Sequence, residues 1–245
     1  MSARPAYGSS AEPAPGGGGV VARVEPGSPA ARAGVRPAER ILRANGRVLT
    51  DVIAWWWESD GASVTVTIAG SDDTVREVVL ARDAAEPWGI DFATALFDEV
   101  RTCRNTCAFC FMAQLPRGLR RALYVRDDDF RLSFLSGNFI TLTNLGDHDV
   151  ARITGEHLSP LHVSLHAVTP AVRERLVCAR EDRALIRFDE LIEGGIDLHV
   201  QIVLVPGEND GAELEATLTW LAEREGVLSV GIVPLGYTAH QQRFS

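Results

Sequence analysis

Three cysteines fall within eight residues, in the sequence RTCRNTCAFCF that runs from residue 101 to residue 111. Cys103, Cys107 and Cys110 are spaced C-x3-C-x2-C, and the aromatic residue Phe109 directly precedes the third. Three thiolates this close on one loop can converge on one metal centre, whereas they cannot all pair as disulfides. The spacing is typical of a four-iron, four-sulfur (4Fe-4S) cluster held by three of its irons. The fourth iron would stay open to bind and activate a small molecule.

Polar side chains alternate with apolar ones in the segments that must position this loop. In the predicted strand Leu161–Ala167, His162, Ser164 and His166 share one face, because successive side chains in a strand point to opposite sides. Two more predicted strands alternate in the same way: His199 and Gln201 in Leu198–Val205, and Thr141 and Thr143 in Phe139–Thr143. Parallel strands covered by helices on both faces are normally apolar throughout. We therefore expect a curved sheet whose polar face lines a cavity.

Strand-like and helical runs alternate from residue 94 onward, which predicts an α/β fold with a parallel sheet. The other predicted elements are the strands Ala95–Arg101 and Val227–Leu235 and the helices Asp147–Ile153, Val172–Arg180, Arg183–Gly194 and Gly211–Arg224. We expect a partial (β/α) barrel, whose chemistry lies at the carboxyl ends of its strands. No helix follows the last strand, so we expect the barrel to be truncated.

The amino-terminal part of the chain predicts a separate small domain. Residues 1–19 are rich in Ala, Pro, Ser and Gly and predict a disordered leader. Residues 20–92 predict a small α+β or barrel-like domain, with a hairpin at Asn45-Gly46 and a helix capped by Ser28. Residues 93–245 would form the barrel domain. In Trp55-Trp56-Trp57 we expect core packing rather than a ligand cage.

The segment VARVEPGSPAARAGVRPAERILRANGRVLTD resembles a circularly permuted bacterial PDZ domain, although Glu39-Arg40 replaces the usual Gly-Asp. Trp88–Phe92, with the sequence WGIDF, resembles the loop that receives a peptide carboxylate in such domains. The resemblance therefore implies that a peptide carboxyl terminus is one partner, bound by backbone amides. A purely structural or docking role for this domain is the alternative.

The cysteine loop and the barrel pattern together resemble the radical S-adenosylmethionine (SAM) superfamily. The segments CRNTCAFCFMAQLPRGLRRALYVRDDDFRLSFLSGNFITLTNL and LHVQIVLVPGENDG are similar to one bacterial family within it. Its members join an amino-terminal PDZ-like domain, a radical SAM barrel and a carboxy-terminal domain of unknown function. The resemblance covers residues 20–245, and the last barrel strand and the carboxy-terminal domain have no counterpart here.

The resemblance implies an enzyme in which Cys103, Cys107 and Cys110 hold a 4Fe-4S cluster that binds SAM. One electron, from a donor such as a flavodoxin or ferredoxin, would cleave SAM to methionine and a 5′-deoxyadenosyl radical. That radical would abstract hydrogen from a substrate that the sequence does not identify. The superfamily's Gly-Gly-Glu-like segment is replaced by Thr141-Leu-Thr-Asn144. The candidate cofactor contacts are Thr143, Asn144, Ser164, His166 and Gln201, and Phe109 and Phe111 would shield the cluster.

Two other functions fit the same residues. The chain could be a non-catalytic, metal-stabilised adaptor that binds peptides. It could instead bind zinc, with His162, His166 or Cys178 completing a tetrahedral site with the three cysteines, although we interpret Cys178 as a buried or incidental thiol.

Further along, Arg117–Arg126 is basic and the aspartates at 127–129 follow it. Both runs predict a solvated face, and the arginines could instead meet an anionic substrate or the SAM carboxylate. Asn209-Asp210 predicts a helix N-cap, with a place on the rim of the site as the alternative.

Composition limits the function classes further. The net charge of −9 argues against a general nucleic-acid binder. The sequence has neither a secretory signal nor an apolar stretch long enough to span a membrane, so we expect a cytoplasmic protein. Four cysteines, three of them clustered, favour a reducing compartment and a metal over a disulfide framework.

Overall fold

The structure, a computed structural model, describes residues 17–72, 74–179, 181–236 and 238–239. These residues divide into two units, one ending at Glu99 and the other beginning at Val100. The division lies seven residues beyond the boundary expected from the sequence, because Leu96 and Phe97 are buried in the first unit, where Leu96 bridges to Asp51. Residues 1–16 of the expected leader lie outside the described residues, and Gly19 already belongs to the first strand.

The first unit is an antiparallel sheet with two short helices. Its elements are β1 (Gly19–Val24), α1 (Pro29–Arg32), β2 (Arg40–Ala44), β3 (Arg47–Val48), α2 (Val52–Glu58), β4 (Ser63–Ala69), β5 (Val75–Ala81) and β6 (Ile90–Phe92). The strand order is β5-β4-β2-β1-β6, and β3 pairs with β2. Among the described residues, β6 therefore ends the sheet.

Local sequence signals account for the turns of this unit. The β2–β3 hairpin turns at Asn45-Gly46, where both residues have positive φ, as a two-residue hairpin of type I′ requires. Ser28 caps α1, because its hydroxyl accepts a hydrogen bond from Ala31 N at 3.2 Å. Asp51 caps α2 in the same way through Ala54 N at 2.8 Å. The predicted hairpin and Ser28 cap are confirmed.

The core of the first unit is built around aromatic rings. Trp55 is buried and meets Trp88 and Phe92 edge to face, with ring centroids 6.3 and 5.7 Å apart. The Trp88 indole N–H donates to Ser59 O at 2.8 Å, so its polar edge is satisfied inside the core. Trp56 is 54% exposed. The expectation that one or two of the consecutive tryptophans serve packing is therefore confirmed.

Gly89 cannot be replaced without strain. Its φ is +73°, and an added Cβ would lie 2.2 Å from Ser28 Cβ. We expect Gly89→Ala to destabilise this unit by about 2 kcal/mol in urea unfolding followed by tryptophan fluorescence. Gly27→Ala is the matched control, because Gly27 has φ +78° but no atom within 4 Å of an added Cβ. Equal losses in the two variants would show that contact with Ser28 contributes nothing.

The second unit contains helices and a parallel sheet. Its elements are α3 (Phe130–Ser136), α4 (Asp147–Gly155), β7 (Leu161–Ser164), α5 (Pro170–Val177), α6 (Ala184–Glu193), β8 (Leu198–Leu204), α7 (Gly211–Ala222) and β9 (Val227–Pro234). Two short 3-10 turns, Phe111–Gln114 and Arg121–Tyr124, precede α3. The order of the parallel sheet is β7-β8-β9.

Strand alternation follows the sequence prediction. Leu161 and Val163 are buried, whereas His162 and Ser164 on the opposite face of β7 are half-buried. The register aligns the polar positions across the sheet: His162 with His199 and Ser229, and Ser164 with Gln201 and Gly231. One face of the sheet thus carries the core, and the other carries hydrogen-bonding groups.

Two predicted strands are wrong or shortened. Ala95–Arg101 forms no strand, because Leu96 and Phe97 are buried within the first unit whereas Ala95 and Val100 are exposed. In Phe139–Thr143 only Ile140 bridges to the sheet, in parallel with Val163, because the backbone then turns at Leu142, whose φ is +60°. The described residues therefore form a mixed α/β fold with an open parallel sheet, and no closed barrel is found in them.

Candidate metal and cofactor site

The three cysteines lie on one loop that is attached to the rest of the second unit at several points. All three thiols are free and half-buried. Cys103 N donates to Arg126 O at 2.7 Å, and the Arg126 guanidinium donates to Cys103 Sγ at 3.8 Å and also to Asn105 O. Cys107 Sγ lies 3.6 Å from Val177 O at the end of α5. The loop is therefore held between the segment before α3 and the end of α5.

The sulfur atoms influence one another electrostatically. Burial, followed by the charges of Cys103 and Cys110, raises the pKa of Cys107 to about 12. Burial and the neighbouring Asp128 also raise the pKa of Cys103. Without a cation the thiols of Cys103 and Cys107 stay protonated at neutral pH, whereas a bound metal would stabilise the thiolates. Among the described residues, no three His, Cys, Asp or Glu side chains are arranged as ligands of a metal ion. By the chemistry of its donors, the set of three soft sulfur ligands still fits an iron–sulfur cluster.

A buried hydrogen-bond network fastens the cysteine loop to the segment after Ile140. Asn105, between the first two cysteines, donates to Thr141 Oγ1 at 3.2 Å and to Thr143 Oγ1 at 2.9 Å. Asp128 accepts from Thr141 N at 2.7 Å and from Thr141 Oγ1 at 2.8 Å. Thr143, predicted as a cofactor contact, therefore lies beside the cysteine loop, and its hydroxyl already bonds Asn105 and Thr141.

Asn144 is the predicted site residue with a free acceptor. Its amide nitrogen donates to Asp128 O at 2.7 Å. Its Oδ1 is buried and has no hydrogen-bond partner among the described residues. A buried carbonyl oxygen without a donor is costly, so this atom is suited to receive a donor from a ligand or water.

The three aspartates at 127–129 do not form a solvated face, which corrects the sequence prediction. Asp127 accepts from Asn138 Nδ2 at 2.8 Å. Asp128 is buried, and its burial raises its pKa. Asp129 caps α3, and although burial opposes the change, the Arg131 guanidinium lowers its pKa. Each carboxylate thus has a structural partner near the cysteine loop.

His166 lies under the cysteine loop rather than along an alternating strand face, because β7 ends at Ser164 and His166 has φ +72°. Its ring meets Phe109 at a centroid distance of 4.5 Å. Its Nδ1 accepts from Val203 N at 3.2 Å, so in the neutral ring Nε2 carries the proton. His166 is 4% exposed and so does not share the half-buried polar face of His162 and Ser164, which corrects the prediction from strand alternation.

Two residues hold the backbone around His166: Asn209, predicted as part of an N-cap or as a residue on the rim of the site, and Arg173, for which the sequence predicted no role. Asn209, completely buried, donates to His166 O at 2.8 Å and accepts from Val205 N at 2.7 Å. Arg173 donates to the carbonyls of Leu165 and Ala167. Asp210, not Asn209, occupies the N-cap position of α7, and its side chain makes no capping bond. Asn209 therefore supports the site instead of capping the helix.

The neutrality of His166 predicts a pH dependence of stability. Burial, and then the charge of Arg173, lower its pKa to about 3. The pKa of this histidine in the unfolded chain is about 6.5. The stability gained by keeping His166 neutral is therefore complete above pH 6.5 and is lost as the pH falls. We expect a loss of about 2 kcal/mol in the free energy of unfolding by pH 5. His166→Asn, which tolerates positive φ, should show a shallower pH dependence in urea titrations. An unchanged slope would contradict the assignment.

Ser164 and Gln201 are neighbours on the polar face of the sheet. They are paired across β7 and β8 and are half-buried, and their predicted contact with a cofactor stays a prediction. Two residues earlier on the same strands, the centroids of the His162 and His199 rings are 4.8 Å apart, and His199 Nδ1 lies 2.7 Å from Ser229 Oγ. The polar layers of adjacent strands thus form one surface.

The structure buries one of the two predicted shielding aromatic residues and exposes the other, and it also exposes the fourth cysteine. Phe109 is buried in an apolar cluster that Cys107 contacts, as expected for a shielding residue. Phe111 is 70% exposed and shields nothing in the described residues. Cys178 is exposed at the end of α5, so of its two interpretations, a buried or an incidental thiol, the first is wrong. It also directly follows Val177, whose carbonyl contacts Cys107, so it lies close to the cysteine loop despite its distance in sequence.

Comparisons with known proteins show the family of the second part of the chain. The family model for a radical SAM-like domain matches residues 82–230 of the sequence, which is more than half of the chain. The chain therefore belongs to this family. The model of the PDZ domain matches residues 20–69. A crystal structure of a radical SAM methyltransferase from Sphaerobacter thermophilus aligns with 88% of this chain and 73% of its own, at 20% identity and a TM-score of 0.32. No curated protein matches the chain. None of the described helices is long and apolar enough to cross a membrane.

Proposed function

We propose that the chain is a radical SAM enzyme that cleaves SAM reductively and uses the resulting radical to abstract hydrogen from a substrate. The observation that carries this proposal is the loop of three free, half-buried thiols, in which burial and then the charges of Cys103 and Cys110 raise the pKa of Cys107. In this family such a loop holds a 4Fe-4S cluster, which with SAM bound supplies the 5′-deoxyadenosyl radical. The second unit would then be part of a (β/α) half-barrel whose polar sheet face lines the substrate cavity.

The residues around the loop have distinct roles in this proposal. The guanidinium of Arg126 neutralises charge at Cys103 Sγ, and Asn105 fixes the loop to Thr141 and Thr143. Hydrogen bonds and charge near the sulfur ligands are the main means by which a protein sets a cluster's potential. Phe109, packed against His166, excludes water from one side of the cysteines.

Asn144 and His166 are the candidate contacts to the bound cofactor. The unpartnered Oδ1 of Asn144 can accept from the ammonium group of SAM. The Nε2–H of His166 can donate to an acceptor on SAM or substrate, and its low pKa keeps it neutral. Ser164 and Gln201, on the polar face of the sheet, are positioned for the ribose or the substrate.

Anaerobic reconstitution followed by product analysis tests the proposal. With iron, sulfide, dithionite and SAM, we expect methionine and 5′-deoxyadenosine in equal amounts by mass spectrometry. Colourless protein that retains zinc after purification would support the zinc-binding alternative instead. A cluster without any 5′-deoxyadenosine would favour the non-catalytic adaptor.

Peptide binding by the first unit is a second candidate function. The supporting observation is that β6 ends the sheet and directly follows Trp88 and Gly89 of the carboxylate-loop motif. A peptide can add as a strand to such an edge, with its carboxylate on backbone amides. Binding of a fluorescent peptide library with free carboxyl termini, compared with the same peptides amidated, tests this role. Equal binding of both sets would exclude carboxylate recognition.

A further inference from the structure

An exposed basic segment adjoins the cysteine loop. Residues 116–125 are all exposed, and they include Arg117, Arg120 and Arg121 but no acidic residue. Among the described residues, no side-chain hydrogen bond or ion pair engages the guanidinium groups of these three arginines, although the Arg120 carbonyl accepts from Leu123 N at 3.0 Å. The whole chain carries a net charge of −9, so this segment is a local exception. Its charge is therefore available to a partner.

The segment also exposes apolar side chains, and hydrogen bonds within it hold its conformation. Leu119, Leu123 and Val125 of the segment are exposed, and the exposed ring of Phe111 lies five residues before it. The Tyr124 hydroxyl accepts from Leu119 N at 2.9 Å and donates to Pro116 O, which closes the loop on itself. Arginine and apolar residues together are typical of protein interfaces rather than of purely solvated faces.

Both ends of the segment are anchored beside the cysteines. Before it, buried Gln114 donates to Gly236 O at 3.3 Å. After it, Arg126 contacts Asn105 and Cys103 directly. A protein that docks on residues 116–125 is thus placed next to the cysteine loop.

We propose that this segment, the arginine loop, is the docking surface for an acidic electron-carrier protein. The inference rests on the proposed function, because only a redox centre at the cysteines needs such a partner. The flavin or cluster of the carrier loses one electron and the centre at the cysteines gains one, with no group transferred. Charge complementarity accelerates such encounters, and the exposed apolar residues supply the short-range contact.

A binding measurement tests the docking surface separately from the enzyme's activity. The probe is oxidised flavodoxin, an acidic flavoprotein, titrated into the full chain without a reconstituted cluster by isothermal calorimetry. We expect binding that weakens about tenfold between 50 and 300 mM salt and about tenfold in R117E/R121E. R36E/R183E makes the same change in net charge at exposed arginines elsewhere and should bind nearly as the unchanged chain does.

Several outcomes distinguish the two proposals. Equal loss in both double variants, or unaltered binding in R117E/R121E, would overturn the docking surface. So would tighter binding of polyuridylate RNA than of flavodoxin, lost in R117E/R121E, because the arginine loop would then be a nucleic-acid surface. In reconstituted protein, normal 5′-deoxyadenosine with dithionite but a tenfold loss with reduced flavodoxin in R117E/R121E supports both proposals. Flavodoxin binding by a chain that takes up no iron on reconstitution would support the docking surface and contradict the proposed function.

Discussion

Cys107→Ala is expected to abolish cluster binding, with iron content falling from about four per chain to near zero after anaerobic reconstitution. The reason is that Cys107 lies between the other two cysteines in the sequence and interacts electrostatically with both. Its Sγ also contacts Val177 O. Two remaining sulfur ligands cannot hold three irons. Formation of 5′-deoxyadenosine should disappear with the iron.

Cys178→Ala is the matched control for this variant. Cys178 follows Val177 directly but is exposed, and its Sγ lies 3.3 Å from Arg175 O at the end of α5. Iron content and activity should therefore stay at the level of the unchanged chain. If Cys178→Ala lost its metal and Cys107→Ala kept it, the assignment of the three ligands would be wrong.

Arg173→Met should cause the second large effect, a loss of about 3 kcal/mol in the free energy of unfolding. Arg173 is buried, donates to Asp182 at 2.7 Å, and bonds the carbonyls of Leu165 and Ala167 that flank His166. Methionine preserves the length of the side chain but leaves these acceptors unpaired. Urea unfolding followed by far-ultraviolet circular dichroism measures the change.

Arg175→Met, on the same helix, provides the comparison. Its ion pair with Glu208 at 3.0 Å is exposed, and such pairs contribute about 0.5 kcal/mol or less. An equally small loss for Arg173→Met would contradict the role of the buried arginine. The Arg173 variant should also raise the pKa of His166 toward its ordinary value, which proton NMR of the imidazole can follow.

Local sequence signals predicted much of the fold. The period of two in Leu161–Ala167 and Leu198–Val205 gave the polar face of the sheet, and Asn45-Gly46 gave the hairpin, because side-chain direction and turn geometry are short-range properties. The strand predicted for Ala95–Arg101 was wrong, because an apolar run does not reveal which unit buries it. Where Leu96 packs is decided by contacts with Asp51 and its neighbours, far away in the sequence.

The candidate site was only partly predictable for the same reason. The cysteine spacing identified the loop, and Thr143, predicted as a cofactor contact, hydrogen-bonds Asn105 of that loop. The supporting residues Asn105, Asp128, Arg173 and Asn209 were missed or misread, because their partners lie up to 43 positions away in the chain. The sequence did hold a weak signal, namely an asparagine between two cysteines and three consecutive aspartates before a helix. Burying such polar groups costs free energy unless they are hydrogen-bonded.

The central claim is that three cysteines hold a cluster whose fourth iron is open to SAM. Mössbauer spectroscopy of the chain reconstituted with ⁵⁷Fe measures this directly, because each iron contributes its own signal. We predict that adding SAM shifts about one quarter of the iron signal and leaves the rest unchanged, as three cysteine-bound irons and one open iron require. A spectrum of four equivalent irons that SAM leaves unaltered, or protein that takes up zinc and no iron, would contradict the account.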